Sequence, residues 1–111
     1  MERPEGFENS FSKTALQAEI EQHDANIASI TGVLNGEREA LRGLQIARSQ
    51  EMRGQTVNAD RVAGITREME AKEASIANLA GAVDKLRALQ ARNRTYIDYI
   101  IHLEGNGKRR A

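Results

Sequence analysis

The stretch LQAEIEQHDANIASITGVLNGEREALRGL, residues 16–44, decides the fold. Indexed in sevens, it carries Ile20, Ile27, Leu34 and Leu41 at the a positions and Leu16, Ile30 and Leu44 at the d positions, where His23 and Glu37 interrupt the apolar run. Steps of four and three residues put all of these on one stripe of an α-helix, which predicts a coiled-coil seam. The pattern returns further on. Val62, Met69, Ile76, Val83, Gln90 and Ile97 fall at a, and Ile65, Lys72, Leu79, Leu86, Asn93 and Ile100 at d.

Punctuation between and around the seams predicts an extended N-terminal arm over 1–11, a first helix over 12–53, a turn over 54–59, a second helix over 60–104 and a basic tail over 105–111. Ser12 or Thr14 supplies the first N-cap, Gln17 completes a capping box with Thr14, and Gly54 stops the helix. Asn58 caps the second helix, Asp60 complements its dipole, and His102 with Gly105 closes it.

Two seams joined by so short a turn fold back on each other. A fold-back centred between Thr56 and Val57 faces every a with a d: Leu44 with Met69, Leu34 with Leu79, Ile30 with Val83, Ile27 with Leu86 and Leu16 with Ile97. His23 then meets Gln90 in one polar layer, and Glu37 with Lys72 forms a diagonal ion pair, so these four residues set the register. On the e flank Asp24 falls near Arg87 and Arg38 near Glu73. The predicted fold class is all-α: an antiparallel two-helix coiled-coil hairpin belonging to a larger helical bundle or assembly.

Composition agrees with a thin helical fold. Of 111 residues 40% are apolar but only 4% aromatic, namely Phe7, Phe11, Tyr96 and Tyr99, and there is no Trp. Sixteen basic and 16 acidic residues cancel, so no global field favours nucleic acid or an anionic membrane. Cysteine is absent, which excludes disulfides and thiolate chemistry. No apolar run has the length of a membrane span, and the first residues lack the apolar core of a signal peptide. A cytoplasmic setting, or one within a virion or other particle, is expected.

Chemistry is not expected. His23 and Asp24 are neighbours on a helix, point about 100° apart and cannot share a proton. His102 lacks a partner at metal-ligand spacing. With no phosphate-binding glycine loop and no nucleophile motif, the chain reads as a non-enzyme with no metal, cofactor or small-molecule substrate. Asn93-Arg94-Thr95 forms a glycosylation sequon by chance, since it falls inside a helix.

The hairpin's two flanks differ. The e side is charged, whereas the g side and its adjoining c positions carry Val33, Gly36, Ala40, Gly43 and Ala47 from the first helix and Ala82, Leu89, Tyr96 and Leu103 from the second. Glycines 32, 36, 43, 64 and 81 interrupt helix; at about 1 kcal/mol each relative to alanine they cost ~5 kcal/mol together, which something should offset. Residues 96–103, including Tyr99, are apolar almost all round, and Phe7 and Phe11 come to the same end. The g flank, this end and the two phenylalanines form the predicted protein interface, with Tyr96 and Leu103 exposing apolar area.

Helical hairpins of this size resemble, in general outline, prefoldin-type chaperone arms, secretion-system adaptors and small phage structural proteins. The leading expectation is an assembly subunit that binds copies of itself or a larger protein in a particle such as a virion or filament. Two alternatives are a nucleic-acid-associated dimerising module using Lys108-Arg109-Arg110, and a chaperone or secretion adaptor with an exposed apolar end.

Overall fold

The structure is a computed structural model that describes residues 1–107. It is an antiparallel two-helix coiled-coil hairpin: α1 spans Lys13–Met52 and α2 spans Ala59–Gly105. Every seam position assigned from the heptads is buried or half-buried, and among the described residues no strand forms.

Ser12 caps α1. Its hydroxyl accepts from Ala15 N at 3.1 Å while its carbonyl accepts from Leu16 N at 3.0 Å, so Thr14 already lies inside the helix and the Thr14–Gln17 capping box does not form. Asn58 does the same for α2, its Oδ1 accepting from Arg61 N at 3.1 Å. The α1 C-terminus closes differently from expectation: Gly54 does not adopt a left-handed conformation. Short-range bonds tighten the last turn instead, from Arg53 N to Gln50 O at 3.3 Å and from Gly54 N to Glu51 O at 3.3 Å. At the end of α2 the left-handed residue is Gly107, with φ of 69°, rather than Gly105.

The chain divides into two compact units. One is formed by Ser29–Val83 and contains the turn. Leu34, Met69 and Val83 are its buried apolar residues. Cross-helix bonds fix its register: Arg61 Nε lies 3.3 Å from Glu51 Oε2, Arg48 donates to Thr66 Oγ1 at 3.4 Å, and Lys72 Nζ lies 3.1 Å from Glu37 Oε1. Rising numbers on α2 meet falling numbers on α1, as an antiparallel pair requires. The Glu37–Lys72 pair is the diagonal ion pair expected from the seam.

The other unit joins Met1–Ala28 with the described part of Asp84–Ala111. Its core is Phe7, Leu16, Tyr96 and Ile100, with Phe11, Ile97 and Tyr99 packed against it. Gln90 and Asn93 bond across to Ile20, Asp24 and Glu19, and Lys13 Nζ lies 2.7 Å from Glu104 Oε2. The arm is not extended. Two turns fold it, closed by Phe7 N to Pro4 O at 3.2 Å and Phe11 N to Glu8 O at 3.0 Å, because the aromatic side chains gain more by packing on α2 than by standing in water.

Candidate interaction surface

In the Ser29–Val83 unit the predicted g flank lies partly open. Val33 is 56% exposed, Gly36, Ala40 and Gly43 are exposed, and Ala47 and Ala82 are half-buried. On a helix these α1 residues recur at steps of three and four, so they form one strip beside the seam. A Cβ built at Gly32, Gly36 or Gly43 meets nothing within 4 Å. The chain's own packing therefore gives no reason for glycine at these positions. Ile46, three residues beyond Gly43, adds a further large apolar side chain that is more than half exposed.

The Met1–Ala28 and Asp84–Ala111 unit corrects the other half of the predicted surface. Tyr96 is 4% exposed and Phe7 is 3% exposed, so neither presents open apolar area. The arm covers them in cis. Phe7 meets the rings of Phe11, Tyr96 and Tyr99 edge-on at centroid distances of 5.6, 5.9 and 4.9 Å. The Tyr96 hydroxyl donates to Glu5 O at 2.9 Å, and Arg3 donates to Phe7 O at 2.8 Å while its guanidinium stands 5.8 Å from the Phe7 ring centroid. Phe11, Leu89, Tyr99 and Leu103 are half-buried. Among the described residues of this unit, Met1 and Ile101 are large apolar side chains that stay exposed, at 70% and 52%.

The polar layers also differ from expectation. Gln90 does not pair with His23: its amide donates to Ile20 O at 3.0 Å and to Asp24 Oδ1 at 2.6 Å. The Ile20 carbonyl can serve both its helix and Gln90, because a carbonyl has two lone pairs. His23 is left with Nδ1 buried and unpartnered among the described residues. Asn93, 2% exposed, donates to Glu19 Oε2 at 2.9 Å and forms a second polar layer. Among the described residues no ion pair joins Asp24 to Arg87 or Arg38 to Glu73; Asp24 is taken by Gln90 instead.

Glu37 has its carboxyl perturbed by its neighbours. The hydrogen bond from Lys72 holds its pKa below the ordinary value; desolvation opposes it, and the Ser75 hydroxyl and the Lys72 charge add smaller effects in the lowering direction.

Several residues of the covered end escaped sequence reasoning. Gly6 has φ of 79° in the turn closed by Phe7 N and Pro4 O, the value of the third residue of a type II turn. A Cβ there would lie 2.8 Å from the Tyr96 hydroxyl oxygen. The signal was present, since Pro4-Glu5-Gly6 is a turn sequence, but nothing in it says that the turn docks on residue 96. The Glu19–Asn93 bond was hidden for a related reason: Glu19 lies outside the a and d positions.

Lys108-Arg109-Arg110 lies outside the described residues. Among the described residues no three His, Cys, Asp or Glu side chains gather as a metal-binding set, and no helix is long and apolar enough to cross a membrane. No protein-family model matches the chain, and neither do curated proteins or solved structures.

Proposed function

We infer that the chain is a non-enzymatic assembly subunit, a coiled-coil hairpin that packs against copies of itself or a larger protein in a multi-subunit particle such as a virion or filament. One observation carries this reading: Gly36 and Gly43 face open space on a strip with exposed Val33 and Ala40, although each helical glycine costs stability and no contact among the described residues repays it. Close approach of another helix repays it, because a missing Cβ lets two backbones come together. Small helical residues in a strip next to a seam are the geometry such packing uses.

The chaperone or adaptor reading rested on an uncovered apolar end, and the arm covers Tyr96. The nucleic-acid reading rests on the basic tail alone, and three cations give weak, salt-sensitive phosphate affinity.

Light scattering on Gly36→Lys with Gly43→Lys tests the assembly reading. Both side chains enter open space, so circular dichroism should stay helical while the mass, measured alone and from native extract, falls to that of the single chain. An unchanged oligomer, or a wild-type chain that is monomeric in both settings, defeats the reading.

A further inference from the structure

An asparagine followed by glycine is prone to lose its side-chain amide to the backbone, because glycine carries no Cβ to keep its nitrogen from the asparagine Cγ. The chain holds this pair twice, as Asn35-Gly36 and as Asn106-Gly107. Both asparagines are exposed, so access of water does not separate them. The backbone does. Asn35-Gly36 lies deep inside α1, where the Gly36 N–H is committed to the carbonyl one turn back and helical dihedrals hold that nitrogen away from Cγ. Freeing it requires opening the middle of a long helix. Asn106-Gly107 instead follows α2, which ends at Gly105. Gly107 has φ of 69°, and among the described residues nothing lies within 4 Å of the place of its missing Cβ. Its N–H is held by a turn bond to Glu104 O at 3.1 Å. A helix end of this kind frays, and each opening frees the nitrogen.

A second feature stands at Asn106. His102, one turn back, brings Nε2 to 3.1 Å from Asn106 Nδ2, the atom that must leave. The His102 ring is half-buried and stacks on Tyr99 at a centroid distance of 6.3 Å and an interplanar angle of 26°, which holds it in place. An amide nitrogen leaves poorly unless it takes up a proton, and an imidazole within hydrogen-bond distance is the side chain suited to give one near neutral pH. At Asn35 the residue one turn back is Thr31, which has no such proton.

We propose that Asn106 is a site of self-deamidation, with Gly107 N as the nucleophile and His102 as the acid for the leaving group, while Asn35 keeps its amide. The Gly107 nitrogen gives its proton to water and bonds to Asn106 Cγ. The Cγ–Nδ2 bond breaks, and Nδ2 leaves as ammonia with a proton from His102 Nε2, which the ring recovers from water. The product is a cyclic imide. Water then opens it at either carbonyl to aspartate or isoaspartate, so that amide and water become carboxylate and ammonium. A chain of zero formal net charge thereby gains a negative charge just beyond the C-terminal end of α2, where the helix dipole and Glu104 both oppose it. The inference goes beyond the assembly reading and does not depend on it.

The test follows the full chain by peptide mass spectrometry during storage in neutral buffer, folded and in urea, with isoaspartate read by its enzymatic methylation. In the folded chain the peptide holding Asn106 should take on the mass of the acid at least about tenfold faster than the one holding Asn35, a ratio that urea removes by opening α1. His102→Ala should slow the folded reaction at Asn106 by about tenfold or more, and His102→Gln, which keeps a hydrogen-bonding side chain without an acid proton, should be equally slow. Asn35 in the same digests reports that the helices stay formed. The proposal is overturned if Asn106 and Asn35 convert at one rate in the folded chain, if Asn106 keeps its amide there, or if either histidine variant reacts as fast as wild type.

Discussion

At Gly6 two constraints fall on one atom. Alanine there is strained by φ of 79° and also brings its methyl within 2.8 Å of the Tyr96 hydroxyl oxygen. Gly6→Ala should cost the arm roughly 1–2 kcal/mol of docking. The expected outcome is faster proteolysis between residues 1 and 11 with unchanged far-ultraviolet circular dichroism; equal proteolysis of both chains would show that the turn does not depend on this glycine. His23 presents the opposite case. Among the described residues its Nδ1 is buried without a partner, so it has the desolvation cost of a polar group and no hydrogen bond to offset it. His23→Leu fills the same d position with an apolar side chain and should raise stability by about 1 kcal/mol in urea melts. A loss of stability would mean that His23 has a partner the bare geometry does not reveal.

Between the elements, Glu37 meets Lys72 in a pair whose carboxyl responds to pH. Because the folded carboxyl titrates below its unfolded value, the unfolded chain binds more protons in the window between the two. The pair's contribution is therefore complete above the unfolded value and is lost as pH falls through the folded one. Urea melts from about pH 6 down to pH 3 should show a shallower acid loss for Lys72→Met than for wild type, and identical slopes would dismiss the pair as a source of acid sensitivity. This layer was legible in the heptads, as were the seams and Asn58, because each depends on spacing within a helix or on a facing register that two helices fix together. Ser12 was legible only as one of two candidates. The arm was not legible in the same way: Phe7 and Phe11 have no period, and their destination on Tyr96 depends on a turn whose direction is set by tertiary contact. The Gln90 partners were missed because a long amide can reach a backbone carbonyl that heptad letters do not represent.

Across the whole molecule the antiparallel topology makes a prediction that a continuous parallel helix contradicts. The chain has no cysteine, so introduced pairs report without background. In the unit built from the two chain ends, the bonds of Gln90 to Ile20 and Asp24 bring residues 27 and 86 into the neighbouring layer, an a facing a d. In the unit that holds the turn, Glu37 against Lys72 does the same for residues 34 and 79. Ile27→Cys with Leu86→Cys, and separately Leu34→Cys with Leu79→Cys, should oxidise within one chain in dilute solution. Cross-linking between chains would instead depend on concentration. The 27–86 bond closes a loop of about 60 residues, and constraining the unfolded chain to that extent is worth roughly 4 kcal/mol if the seam geometry is unstrained. The oxidised chain should therefore unfold at higher urea than its reduced form. Helical circular dichroism should match 40 and 47 of 111 residues in both. A parallel pairing places residue 27 against residue 27 of another copy; if single Ile27→Cys chains cross-link to each other while the 27–86 pair stays reduced, the hairpin is wrong.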